Sequence, residues 1–156
     1  MASWNSDGKE CVMLRANTVV TINKPVEQVF KVVGTDYIQN HPQWDSRNIK
    51  TELQGSMAKG AKGTETRKDG GRTMTYNFEF TEFQPNKHMR FDAKGGSVTF
   101  SGSYGFQPAA NGTQLSIEFT MRMGGLLRIM EFFMGGGFKK DVTATGARIK
   151  DFVEKS

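Results

Sequence analysis

The sequence predicts an α+β fold: a curved antiparallel sheet wrapped on a long C-terminal helix, with two short helices between the first and second strands. Three observations predict it. Residues 124–153 are the only stretch long enough for a three-part helix, and in the second half Phe138, Val142, Thr145, Ile149 and Phe152 recur at steps of four and three, on one face. The first half is almost wholly apolar, with Leu126, Leu127, Ile129, Met130, Phe132, Phe133 and Met134, and a helix apolar all round must be surrounded. From residue 13 to 123 most of the chain alternates apolar and polar residues, the period of half-buried strands.

The elements follow in order. Residues 1–11 have no periodicity and read as a flexible flank; a single domain is expected over 12–156. Residues 13–23 make a strand with Leu14, Ala16, Thr18, Val20 and Ile22 on one face. A helix then starts with Pro25 at its first position and Glu27 reaching back to the free amide; Val26, Val29, Phe30 and Val33 form its apolar face and Gly34 its stop. Residues 35–40 suit a second short helix, capped by Thr35 or Asp36 and ended by Pro42. Residues 47–54 form a weak strand, and 55–63 a turn whose glycines lack the Lys-Ser/Thr of a phosphate loop.

Residues 63–68 and 72–83 pair through Asp69-Gly70-Gly71. In the second of these Met74, Tyr76, Phe78 and Phe80 face one way; Phe83 breaks the phase, which places a bulge near 81–82. Strands over 88–94, 97–107 and 113–123 follow, the last two separated by a loop at 108–112. Their apolar faces carry Met89, Phe91 and Ala93; Val98, Phe100, Tyr104 and Phe106; and Leu115, Ile117, Phe119, Met121 and Met123. One helix cannot cover seven such strands, so the sheet must curl around it and the short helices must plug the open side. Such a curl leaves a hollow.

Composition narrows the function. The chain has 156 residues and a net charge of +5, from 21 basic and 16 acidic residues. The basic residues of 59–72 are interrupted by Glu65 and Asp69, and no nucleic-acid motif accompanies them, so a nucleic-acid partner is not expected. The single cysteine, Cys11, excludes an intramolecular disulfide, and residues 1–10 have no apolar signal-peptide region. No run approaches the ~18 apolar residues of a membrane span, so a cytoplasmic protein without an integral membrane segment is expected. His41 and His88 belong to no ligand-spaced motif and read as surface residues; no metal or cofactor is expected. There is no serine elbow, no suitable cysteine and no GxGxxG between a strand and a helix, hence no catalytic motif.

Residues 20–30, Val-Thr-Ile-Asn-Lys-Pro-Val-Glu-Gln-Val-Phe, followed by Trp44, together with this element order, resemble the START-like (SRPBCC) superfamily, in its polyketide cyclase/dehydrase-type branch. The resemblance covers about residues 13–153. It implies a helix-grip fold, a seven-stranded antiparallel sheet wrapped on the C-terminal helix, with an internal, mostly apolar cavity for lipids, polyketides, hormones or aromatic compounds.

The expected function is binding or carriage of a small hydrophobic ligand, with a cyclase or dehydratase using the same cavity as the alternative. The candidate lining residues are Tyr37, Trp44, Thr66, Met74, Tyr76, Phe78, Phe80, Met89, Phe91, Phe100, Tyr104, Phe119, Met121, Met130 and Met134. Trp44 suits both a packing anchor and a wall of the site. The hydroxyls of Tyr76 and Tyr104 need a backbone, water or ligand partner, and Arg128 either pairs with an acid or meets a ligand carboxylate. A carboxylate or histidine inside the cavity separates enzyme from carrier. The strand phases turn Glu79, Asp92 and Glu118 outward and leave Glu65 undecided. Gly135-Gly136-Gly137 is either a bend that lets 124–134 act as a lid, a close approach to the sheet, or a break.

Overall fold

The computed structural model describes residues 3–4, 10–11, 13–69, 71–125 and 128–156, with side chains over 13–69, 71–125 and 135–156. Its body is an antiparallel sheet of β1 (Leu14–Ile22), β2 (Asn48–Gln54), β3 (Lys62–Asp69), β4 (Arg72–Gln84), β5 (His88–Gly95), β6 (Val98–Ala109) and β7 (Gly112–Met123). The helices are α1 (Val26–Phe30), α2 (Tyr37–Trp44) and α3 (Arg128–Lys155). The order across the sheet is β1-β7-β6-β5-β4-β3-β2, so β1 and β2 lie at opposite edges and the two short helices carry the chain between them. This is the expected α+β helix-grip architecture. Ser3–Trp4 also pairs antiparallel with Glu10–Cys11 in a separate two-stranded ladder.

The alternation in the sequence becomes the two faces of the sheet. Leu14, Ala16 and Ile22 are buried while Arg15, Asn17, Val19 and Thr21 face outward. The register of β4 on β5 shifts between Phe80 and Glu82, at the expected bulge. One extra residue there returns Phe83 to the inner side, where its ring lies 5.3 Å from that of Phe30 on α1. β6 runs through Pro108 to Ala109 and meets β7 again at Gly112, so the loop expected at 108–112 is a tight hairpin.

The short helices differ from expectation in three places. Pro25 is the N-cap of α1, not its first residue, and no side chain caps that end. The helical path does not stop at Gly34: it continues as a π-helical turn over Lys31–Thr35. Gly34 is buried there, where a Cβ would come within 3.0 Å of the Phe30 ring, so its missing side chain serves packing. Pro42 lies inside α2 and does not end it. Proline removes one backbone donor, and the buried face Tyr37, His41 and Trp44, spaced four and three apart, holds the helix over that loss.

α3 is a continuous α-helix through Gly135-Gly136-Gly137. Among the described residues, Cβ atoms added at Gly136 and Gly137 would meet nothing within 4 Å, and at Gly135 only Leu14 at 3.9 Å. Close approach to the sheet therefore does not account for these glycines. It does account for Gly146, where a Cβ would come within 2.8 Å of Thr18. The C-terminal half of α3 lies on β1 through that glycine and buries Val142, Thr145, Ile149 and Val153. The side chains of 126–134, with Met130, Met134 and Arg128 among them, lie outside the described residues. No helix among the described residues is long and apolar enough to cross a membrane.

Candidate functional site

The concave face of the sheet carries two neighbouring rows in which aromatic rings alternate with small residues. One row runs Gly63, Phe78, Ala93, Phe100, Met121, Leu14 from β3 to β1; the next runs Phe80, Phe91, Gly102, Phe119, Ala16 from β4 to β1. The small residues are a packing device. A Cβ on Gly63 would lie 2.5 Å from the Phe78 ring, on Gly95 2.7 Å from Tyr76, and on Gly102 2.4 Å from Phe91. These rings therefore lie down on the sheet backbone. The centroids of Phe91 and Phe100 are 5.9 Å apart, those of Phe100 and Phe119 5.2 Å, and those of Phe80 and Phe91 5.9 Å, a continuous aromatic surface.

Burial is uneven along this face. Toward α1 and the C-terminal half of α3 the interior is sealed: Met89, Leu115, Val142 and Ile149 are fully inaccessible. Toward the start of α3, Met74, Ala93, Phe100 and Met121 keep partial exposure beside Tyr76, Phe78, Phe91 and Phe119. Most candidate residues thus share one surface. Tyr37 and Trp44 come from α2; Tyr37 packs its ring on Phe80 (5.7 Å), Phe91 (6.1 Å) and Tyr104 (6.1 Å). Met130 and Met134 lie outside the described side chains. Thr66 stands elsewhere: its Oγ1 lies 3.2 Å from that of Thr75, opposite it on β4, and this pair faces outward because Glu65↔Tyr76 and Arg67↔Met74 face inward.

The structure gives β3 an inner face with no apolar side chain: Gly63, Glu65 and Arg67. Arg67 directs Nη2 to Asp45 (2.8 Å), Nη1 to Glu65 (2.7 Å) and Nε to Asp69 (3.3 Å). His41 is buried, not a surface residue; one turn before Asp45 on α2, it faces Asp45 with Nε2 (3.5 Å) and Glu65 with Nδ1 (3.6 Å) and stacks on Tyr37 at 4.7 Å. Arg47 links Asp45 (3.2 Å) to Asp141 on α3 (2.7 Å). This polar wall closes the aromatic surface at the β3 side. His88, by contrast, is half-exposed and pairs with Glu82 (2.7 Å) and Ser103 (2.8 Å).

His41, Asp45 and Glu65 offer donor atoms within 4.8 Å of one another, a spacing a divalent ion can use. The Arg67 guanidinium stands between the two carboxylates, so the cluster is filled as an ion-pair network. Burial alone would raise the Asp45 carboxyl. The hydrogen bond from His41 and the charges of Arg67, His41 and Arg47 outweigh burial and hold it far below the usual carboxylate range. Burial pushes the hydroxyls of Tyr37 and Tyr104 up, so both remain neutral phenols at physiological pH. Sequence reasoning missed this wall, although His41 and Asp45 share one helix face by their spacing of four.

Among the described residues, the buried side-chain polar atoms without a hydrogen-bond partner are Trp44 Nε1, Asn48 Oδ1 and Thr81 Oγ1. Trp44 is 1% exposed, its ring wedged between Tyr37 (6.2 Å), His41 (6.0 Å) and Phe152 of α3 (6.0 Å). Its backbone carbonyl accepts from Arg148 Nε (2.8 Å), but its indole Nε1–H meets no acceptor. On the outer face a shallow polar trough is lined by Arg15, Lys62, Glu79, Arg90, Asp92 and Glu118 among others. These six charges are paired as Arg15–Glu118, Lys62–Glu79 and Arg90–Asp92.

A family model described as polyketide cyclase/dehydrase and lipid transport matches residues 13–154. No curated protein matches the chain. Among solved structures, the ZhuI aromatase/cyclase of Streptomyces sp. R1128 superposes with a TM-score of 0.76 at 14% identity, over 92% of this chain and 95% of that one. A conserved protein from Geobacillus kaustophilus gives 0.72 at 19% identity, over 92% and 97%. Ara h 8.0201 gives 0.66 at 13% identity, over 93% and 100%. At these identities the likeness establishes the fold.

Proposed function

Because the chain belongs to the polyketide cyclase/dehydrase and lipid-transport family, we propose that it binds a small, largely apolar molecule, a lipid, polyketide or aromatic compound, between the concave sheet face and α3. The observation that carries this reading is the pair of rows in which Phe78, Phe91, Phe100 and Phe119 lie beside Gly63, Ala93, Gly102 and Ala16. Rings laid flat on glycine widen a concavity, and the apolar surface that Phe100, Met74 and Met121 leave partly exposed gains by being covered. Covering about 300 Å² of ligand apolar surface yields roughly 7 kcal/mol gross at ~25 cal/mol/Å². Immobilising the ligand removes much of that, which leaves micromolar affinity. A cytosolic setting fits this reading, with one cysteine and no disulfide.

A second reading, a cyclase or dehydratase working in the same space, is favoured by one observation: His41, Asp45 and Glu65 stand beside Tyr37 on the inner side. It ranks second because each carboxylate is held by Arg67, and an ion-paired carboxylate is a weak base. A thermal-shift screen of fatty acids, sterols, flavonoids and aromatic polyketides tests the binding reading. A ligand at 100 times its dissociation constant adds about 2.7 kcal/mol of stability. No shift with any hydrophobic class would count heavily against it. A product of changed mass, formed in many-fold excess over protein, would move the second reading to first.

A further inference from the structure

β1 and β2 are the two edges of the sheet, and they are not equally covered. The C-terminal half of α3 lies along β1, where Lys150 donates to the Thr21 carbonyl and the Asn23 N–H donates to Glu154. β2 bonds β3 on one side; on its other side none of the described residues bonds the backbone of 49–54. Ile49, at the bulge of β2, is 57% exposed, and the Lys50 and Glu52 side chains are 64% and 63% exposed. An open edge is a template for another strand, and a lysine on it ordinarily blocks self-pairing by repulsion. Here a glutamate two residues on removes that block.

The order of residues in β2 decides what fits it. Laid antiparallel against itself about Thr51, the run Ile49-Lys50-Thr51-Glu52-Leu53 sets Thr51 opposite Thr51, Lys50 opposite Glu52 and Ile49 opposite Leu53. Lys50 and Glu52 stand beside Thr66 and Thr64 on the outer face, so the opposed charges share one side, as the pleat requires. Moving the axis one residue either way sets Lys50 opposite Lys50 or Glu52 opposite Glu52, which is destabilising. Within one chain Lys50 Nζ already meets Glu52 Oε1 at 2.8 Å, so the two heads lie side by side. A two-fold contact uses the same patch twice, and a second copy supplies both charge oppositions through these two residues. We propose that β2 is the pairing edge for a second copy of this chain, antiparallel about Thr51, which joins two sheets into one. The inference does not depend on the ligand reading.

Sedimentation velocity on the full chain, from micromolar to millimolar protein, tests it. One added strand pair buries little area, so association is expected toward the upper end of that range. Lys50→Glu and Glu52→Lys each set like charges opposite one another in both cross-chain pairs, and each should weaken self-association by roughly fivefold or more. An equimolar mixture of the two variants should regain wild-type association, because each meets the opposite charge in the other. The within-chain ion pair is lost in both variants, so recovery on mixing reads the cross-chain contact alone and shows that both are folded. Hydrogen exchange gives a second measurement: edge-facing amides of 49–54 should slow as wild-type concentration rises, and not in Lys50→Glu. A wild-type chain that sediments as a monomer throughout overturns the proposal. So does a dimer that both variants leave unchanged, or a mixture that associates no better than its components.

Discussion

Arg67 Nη2 lies 2.8 Å from Asp45 Oδ2, joining the middle of β3 to the residue that follows α2. Both side chains are mostly buried, and the guanidinium also serves Glu65 and Asp69. Removing one partner of such a pair leaves charge uncompensated in the interior, at about 3–5 kcal/mol. Arg67→Met is therefore expected to lose stability of that order in urea unfolding at pH 7. A loss below ~1 kcal/mol would mean that the wall is hydrated and weakly coupled.

The same network sets an acid response. Asp45 is held below its ordinary range in the folded state, so its contribution is fully present above the unfolded value of ~3.9 and is lost as pH falls below it. Wild-type stability should drop between about pH 5 and pH 2. Asp45→Asn should be less stable at pH 7 and show a shallower drop over that window. Urea midpoints at pH 7, 5 and 3 measure both, and parallel curves for the two proteins would remove Asp45 as a source of the acid response.

Gly102 has Phe91 on one neighbouring strand and Phe119 on the other. A Cβ there would stand 2.4 Å from the Phe91 ring and 2.9 Å from Phe119. Gly102→Ala must lift at least one ring off the sheet and into the concavity, at about 1–3 kcal/mol. It should also weaken any ligand found in the thermal-shift screen, through lost space. Unchanged affinity in a folded Gly102→Ala protein would place the ligand away from this row.

Gly136 and Gly137 have the opposite expectation. Each is helical, exposed and free of close neighbours among the described residues, so Gly136→Ala and Gly137→Ala should each stabilise the protein by about 0.5–1 kcal/mol. With nothing among the described residues to require them, we propose that these glycines allow a bend that lets the start of α3 lift as a lid. Hydrogen exchange tests that proposal: amides 128–134 should exchange faster than 138–150 and slow when ligand binds. Equal protection with no ligand effect would remove the lid.

The sequence carried the fold because its signals are local. Period-two alternation in β1, β4, β6 and β7, the phase break before Phe83 and the long C-terminal helix each follow from neighbours a few residues apart; the sheet realises the first two and α3 the third. The aromatic surface was legible for the same reason: Tyr76, Phe78, Phe91, Phe100 and Phe119 face inward by strand parity alone.

The polar wall was decided only in three dimensions. Its members come from α2, the connection that follows it, β3 and α3, and taken singly His41, Asp45, Glu65, Arg67 and Asp141 each look like solvated residues. They are stable inside because they meet one another, and that meeting depends on how the sheet curls and where α3 lies. Position 65 was undecided in sequence for one physical reason: charges satisfied by distant partners leave no apolar period behind. Chain order set which faces would be apolar; tertiary packing set which charges would share the interior with them.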